Sequence, residues 1–150
     1  MIIRRANQKD IPELVDMSLQ LLTSELAYDE NLRIPSEEEF HNFWTRTINN
    51  KRNVVLVAEE TELVGYIYGW FMKNFFLFRE PRGYISDLFV KPSFRGRGVG
   101  SSLLSEIIKV FQKNGVTFVY VDVYSGNSSA LEFWKKKGFE VESFTMVRKL

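Results

Sequence analysis

Cysteine is absent from all 150 residues. That absence excludes disulfides, thiolate metal sites and a cysteine nucleophile. Histidine is nearly absent too. His41 is the single one, it has no partner at ligand or triad spacing, and it reads as a surface residue. No other grouping of His, Asp and Glu has metal-ligand spacing, so no metal site is expected. Neither sign of charge dominates: 20 Lys and Arg against 19 Asp and Glu leave a net charge of +1. A field of that size gives no general pull toward nucleic acid or an anionic membrane, and neither is expected as a partner. The chain also lacks any apolar run of about 18 residues, and "MIIRRANQKD" lacks the apolar stretch of a secretory leader. The expectation is a cytoplasmic protein.

What is present is a globular composition, 45% hydrophobic and 26% charged, with an unusual 15% aromatic content that includes 13 Phe. The length suits one domain, 1–150, with a full core. Ile2 to Arg5 is a short strand candidate. Asn7 or Asp10 caps a helix whose apolar face is Ile11, Leu14, Val15, Ser18, Leu21 and Leu22. "SELAYDENLRIP" breaks the pattern as an acidic loop, and Ser36 with Glu39 forms a capping box that opens a second helix to about Asn49. "NVVLVAEE" and "ELVGYIYGWFM" read as a hairpin turning at Glu60 to Glu62, and "RGYISDLFV" as the next strand. A helix from about Gly98 to Asn114 buries Leu103, Leu104, Ile107, Ile108 and Phe111. "VTFVYVDVY" is a strand, "NSSALEFWKKKG" a capped helix, and "FEVESFTMVRKL" one or two closing strands. The order is β-α-α-β-β-β-α-β-α-β-β, an α/β fold with a mixed sheet and helices on its faces.

The stretch "VKPSFRGRGVGSSLL", 90–104, sets Gly96, Gly98 and Gly100 on alternate positions between a strand and a helix. It lacks the lysine of a Walker A loop, and neither Gly96 nor Gly98 begins a G-x-G-x-x-G fingerprint. What remains is Arg-x-x-Gly-x-Gly, spelled by Arg95, Gly98 and Gly100. Backbone N–H groups at such a turn converge on one concavity, and the helix N-terminus adds partial positive charge. Glycines keep the approach open for a phosphate, and Arg95 and Arg97 add charge.

"DLFVKPSFRGRGVGSSLL" closely resembles the acetyl-CoA-binding motif of the GNAT superfamily of N-acetyltransferases. "VDVYSGNSSALEFWKKKGF" adds a second similar feature in Asn127, Ala130, Trp134 and Gly138-Phe139. The resemblance covers essentially the whole chain and implies the GNAT fold, with two splayed central strands and acetyl-CoA as co-substrate. It implies that Leu88, Phe89 and Val90 pair with the pantetheine arm and that the Val90 N–H polarises the thioester carbonyl. Arg95, Gly96, Arg97, Gly98, Val99, Gly100 and Ser101 would hold the pyrophosphate, while Asn127, Ala130 and Trp134 complete the cofactor site.

An alkylamine is mostly protonated at neutral pH, so attack on a thioester calls for a base. Asp87 and Asp122, on the strands flanking the gap, are the candidates beside a structural role for each carboxylate. Trp134 departs from the tyrosine that many relatives carry there as general acid, since indole is a donor without an acid pKa in range. Tyr120 or Tyr124 could substitute, or simply pack. The acceptor side is expected from Glu25 and Asp29, whose charge suits a cationic amine, and from Trp70 with the nearby Phe75, Phe76 and Phe78. These readings together give the expectation of an acetyltransferase acting on a small primary amine, cationic and polyamine-like, in a homodimer. The alternatives are a peptide N-terminal acetyltransferase and a non-catalytic acyl-CoA-binding regulatory module.

Overall fold

A computed structural model of the chain describes residues 1–72 and 79–150. Its elements are β1 (Ile2–Arg5), α1 (Ile11–Glu25), α2 (Glu37–Asn49), β2 (Asn53–Glu59), β3 (Leu63–Phe71), β4 (Arg82–Val90), α3 (Val99–Lys113), β5 (Phe118–Val121) and α4 (Ser128–Lys136). The strands form one sheet in chain order, β1-β2-β3-β4-β5. The first four are antiparallel neighbours, while β5 runs parallel to β4. The parallel step needs a crossover, which α3 supplies.

Apolar side chains divide between the two faces. On one, α3 packs Leu103, Leu104, Ile107 and Phe111 against Val54, Ile67 and Ile85, with Trp134 of α4 at the margin. On the other, Leu14 and Met17 of α1 and Phe40 and Trp44 of α2 cover Val55, Val57, Tyr66, Tyr68 and Phe89. The second face is built largely of rings: Trp44 meets Tyr66 and Tyr68 edge-on, with centroids 5.4 and 5.6 Å apart.

β4 contains the irregularity that matters for the site. Tyr68 pairs with Asp87 but Gly69 pairs with Ile85, so Ser86 is an extra residue. Alternation would put Asp87 in phase with the fully buried Ile85, on the α3 face; the bulge shifts the phase and delivers Asp87 to the α1/α2 face. Gly69 permits this close pairing, since a Cβ there would lie 2.5 Å from the Tyr84 carbonyl oxygen.

Most expected elements form, with two differences. β5 is four residues where the sequence reading gives 116–124. The closing strands expected from "FEVESFTMVRKL" do not form: no strand follows α4 among the described residues. Strand structure needs a paired edge, and residues 140–150 pair with none among the described residues.

The start of the fold is fixed by charge. Arg4 donates to both Asp10 carboxylate oxygens, at 2.8 and 2.9 Å, and to Glu59 at 2.7 Å. Asp10 also accepts from the Asn7 backbone N–H at 2.8 Å, and Asn7 caps the short turn leading into α1. These bonds, that from Arg4 foremost, hold the buried Asp10 carboxyl below its ordinary pKa. A lowered carboxylate pKa contributes stability above the unfolded value near 4 and loses it as pH falls through the folded value. Asp10→Asn is therefore expected to cost about 2 kcal/mol at pH 7. In urea titrations at pH 7, 4 and 2, the gap between wild type and variant should close toward the acid end.

Candidate functional site

β4 and β5 stay paired from Arg82 opposite Phe118 to Ile85 opposite Val121, and there the ladder stops. β4 continues to Val90, paired on its other side with β3 as far as Gly65. The expected splay thus begins at the bulge, leaving Leu88, Phe89 and Val90 without a β5 partner. Lys91 donates its backbone N–H to Val64 and forms an ion pair with Glu62, fixing the strand end.

The glycine loop follows. Gly96 and Gly98 adopt φ of 74° and 83°, and a Cβ built on either meets nothing within 4 Å. Both therefore need glycine for their backbone conformation and both face open space. Gly98 is the N-cap of α3 and offers no side-chain cap, whereas Ser36 and Asn127 cap α2 and α4. The first N–H groups of α3, at Val99, Gly100 and Ser101, are thus left to a ligand or solvent. Gly100 is different: it is helical, and its Cβ would touch Val90 and Phe133 at ordinary distances of 3.6 and 3.8 Å. Arg95 donates through Nε to the Val90 carbonyl at 2.9 Å and lies over the Phe89 ring, while Arg97 lies over Phe94. A groove of about 480 Å³ runs beside them, lined by Leu19, Gln20, Thr23, Ser24, Phe89, Pro92 and Arg95.

Three members of the expected cofactor site have structural duties. Asn127 accepts the Ala130 N–H through Oδ1 at 3.1 Å, capping α4, so its amide nitrogen is the end available to a ligand. Ala130 is partly buried against the α3-side core. Trp134 is core, 8% exposed and packed edge-on against Phe133 and Phe139.

The polar groups of the α1/α2 face converge on Asp87. Ser86 Oγ donates to Oδ1, and the Tyr66 hydroxyl donates to Oδ2 at 3.1 Å. Since Tyr66 has one proton, Ser18 must donate to it across 3.3 Å, and Trp44 Nε1 in turn donates to Ser18 at 3.0 Å. Trp44, Ser18 and Tyr66 are all buried, so a relay with every proton aimed one way ends on the carboxylate. Burial raises the Asp87 pKa above its ordinary value, with the two hydroxyl bonds opposing it. Glu25 at the end of α1 is raised as well, by burial and then by the charge of Asp87. Tyr84 donates to Asp122 at 2.6 Å and stacks on Trp70 at 4.5 Å. Tyr124 stacks on Tyr28 at 6.1 Å, and its pKa is raised by burial first and then by the charges of Glu25 and Asp29.

The structure therefore brings Glu25, Asp29, Asp87, Asp122 and Trp70 to one ring-lined, acidic region. Phe75, Phe76 and Phe78 lie outside the described residues. Sequence reasoning missed Ser18, Trp44, Tyr66 and Tyr84 as polar groups of this region. A signal existed for the rings, because Tyr66, Tyr68 and Trp70 alternate on one strand face. The pairing of Ser18 with a residue 48 positions away left no trace in the sequence pattern.

A family model described as the acetyltransferase (GNAT) family matches residues 19–139. Over 56 residues the chain is 43% identical to an uncharacterized N-acetyltransferase of Methanocaldococcus jannaschii, covering 37% of this chain and 25% of that protein. The matched stretches span less than half the length of the first curated relatives. A tetramutant of a Bacillus halodurans protein shares the fold with a TM-score of 0.88 at 24% identity, covering 100% of both chains. An aminoglycoside N-acetyltransferase in complex with CoA aligns with a TM-score of 0.82 at 18% identity, over 99% of this chain and 93% of that one.

The loop geometry separates its glycines experimentally. Gly98→Ala is expected to lose about 1–2 kcal/mol, because an L side chain at that φ is strained. Gly100→Ala is expected to gain about 1 kcal/mol, because alanine is the better helix residue and the space accepts a methyl. Urea denaturation of the two variants checks both signs.

Proposed function

The chain belongs to the GNAT family of acetyltransferases, and on that premise we propose that it transfers an acetyl group from acetyl-CoA to a primary amine of a small cationic molecule. The observation carrying this reading is the placement of Asp87. Its partly buried carboxylate sits where β4 parts from β5 and accepts two hydroxyl bonds, with Glu25 close enough to couple electrostatically. A polyamine-like acceptor suits the four carboxylates of Glu25, Asp29, Asp87 and Asp122 among the rings of Trp70, Tyr84 and Tyr124.

The open cradle at Gly96 and Gly98 and the uncapped start of α3 fit a pyrophosphate, with Arg95 and Arg97 beside it. Leu88, Phe89 and Val90 offer unpaired strand edge to an extended amide chain, and the Asn127 amide nitrogen a further donor. Acetyl-CoA supplies the activated acetyl thioester. Attack is direct, in a ternary complex, since there is no cysteine to carry an acyl intermediate.

In this reading Asp87 takes the proton from the ammonium, directly or through a water, and the neutral amine attacks the thioester carbonyl carbon. The Val90 N–H would polarise that carbonyl; as the carbon–sulfur bond breaks, the second proton shed by the attacking nitrogen passes to the departing sulfur, and CoA leaves as the thiol. Asp122, bonded to the Tyr84 hydroxyl, is the second carboxylate of the path. The Tyr84 phenol has its pKa raised by burial first and then by Asp122, so it stays protonated as a donor. Trp134 takes no part in proton transfer. A second copy of the chain and a cytoplasmic setting belong to the same proposal.

A thiol-release assay with acetyl-CoA and a panel of mono-, di- and polyamines tests the reaction. Turnover is expected to favour multiply charged amines, with KM rising as salt is added. Asp87→Asn is expected to lower kcat/KM by about 10²–10⁴. Because the carboxyl pKa is raised on folding, ionised Asp87 opposes stability at neutral pH, so the same variant should melt no lower than wild type. Activity should fall as pH drops through the raised Asp87 pKa. Tyr66→Phe removes a donor that favours the carboxylate, so it should move that acid limb to higher pH.

A further inference from the structure

Four polar groups stand in line beneath α1 and α2: Trp44 Nε1, Ser18 Oγ, the Tyr66 hydroxyl and Asp87 Oδ2, at successive distances of 3.0, 3.3 and 3.1 Å. Trp44 and Tyr66 are 0% exposed and Ser18 is 3% exposed, so none of the three turns to bulk water instead.

The distances alone do not fix the direction of such a line. Each hydroxyl can donate or accept, so each can pass its hydrogen either way. A protonated carboxyl at the end of the line can donate as well. The indole has no such freedom, because it carries one N–H and no lone pair to accept with. Trp44 is therefore the member whose direction its own chemistry dictates.

If the line ran backwards, a protonated Asp87 would donate to Tyr66 and Tyr66 to Ser18. The Ser18 hydrogen would then be aimed at the Trp44 N–H, donor against donor. Trp44 and Tyr66 are the two side-chain partners of Ser18 Oγ among the described residues, so that hydrogen would be buried without an acceptor, which is costly. The forward order satisfies every group. It ends by donating to Asp87, and a hydrogen bond of that sense favours the ionised carboxylate. Tyr66 keeps the hydrogen this requires, because burial first and then the charge of Asp87 hold its phenol pKa above the ordinary value.

We propose that Trp44 is a positioning residue: its indole N–H makes the hydrogen-bond line one-way and so keeps the Asp87 carboxyl an acceptor. The other groups facing Asp87 are Ser86 beside it, Glu25 from α1, Tyr68 from β3 and Tyr84 from β4, with Asp122 behind Tyr84. None of these is hydrogen-bonded to Ser18 or Trp44 among the described residues, so a donor lost at Trp44 reaches the carboxyl through Tyr66. The consequence for acetyl transfer rests on the reading above, whereas the effect on the carboxyl does not.

The test removes one N–H from the full chain. β-(3-Benzothienyl)alanine, in which sulfur replaces the indole N–H, is placed at position 44; Trp44→Phe removes the same donor together with ring volume. The readout is the pH titration of the Asp87 ¹³Cγ signal, assigned by its loss in Asp87→Asn. Glu25→Gln is present in these chains, so that the step is not shared between two carboxyls. The titration midpoint is expected to rise by about one pH unit with the analogue and to move the same way in Trp44→Phe. Adding Ser18→Ala cuts the line, and the analogue is then expected to shift nothing further. With Glu25 restored, the acid limb of kcat/KM is expected to move with the carboxyl. An unmoved midpoint overturns the proposal. So does a shift of equal size in the Ser18→Ala background, which is the mark of altered packing. A carboxyl that moves while the rate profile stays, or in a chain without activity, upholds the hold of Trp44 on Asp87 and overturns the acetyl-transfer role given to that carboxylate.

Discussion

Between Ile85 and Ser86 the fourth strand loses its parallel partner while keeping its antiparallel one. Backbone groups inside a protein must be satisfied, so a strand left open along one edge implies something else beside it. The bulge at Ser86 sits at this point and has two effects. It bends β4 away from β5, and it turns Asp87 from the α3 core toward the rings under α1 and α2. The irregularity at the mouth of the gap thus also positions its carboxylate, on the next residue.

Holding that carboxylate partly out of water is costly unless hydrogen bonds favour its charged form. The relay from Trp44 through Ser18 and Tyr66 serves this need, and it draws one member each from α2, α1 and β3. The aromatic surplus of the sequence is spent here. Tyr66 and Trp44 fill the core with ring volume while each supplies a polar hydrogen, which phenylalanine could not do. Packing and proton placement on this face are one arrangement, so the helices over it are part of the site's electrostatics as well as its cover.

Beyond the C-terminal end of β4, the glycine loop works by omission. Gly96 and Gly98 keep side chains away from the concavity, and Gly98 leaves the start of α3 without a cap that other helices of the chain possess. Backbone donors and helix charge are thereby left uncovered, which is what the proposed pyrophosphate site needs. In the proposed reading, the bulged middle of the strand and the loop beyond its end supply different chemistry, a proton acceptor and a phosphate cradle, at a spacing that the strand sets.

Local rules wrote much of this molecule into its sequence. The capping box of Ser36 and Glu39, the hairpin at Glu60 to Glu62, the strand–loop–helix at 82–113 and the Asn127-capped helix all follow from short-range hydrogen bonding and apolar periodicity. The glycine spacing and its resemblance marked the family for the same reason, since positive φ and an open helix start must be spelled by nearby residues. Tertiary structure decided the rest. Alternation puts Asp87 in the α3 core, and only the pairing of β3 with β4 inserts the bulge that turns it around. Ser18 and Trp44 meet Tyr66 because α1 and α2 dock on the sheet, a contact between distant positions that no local pattern encodes. The closing segment shows the limit most plainly: its residues favour a strand, but a strand exists only against an edge, and where that edge lies is a property of the folded molecule.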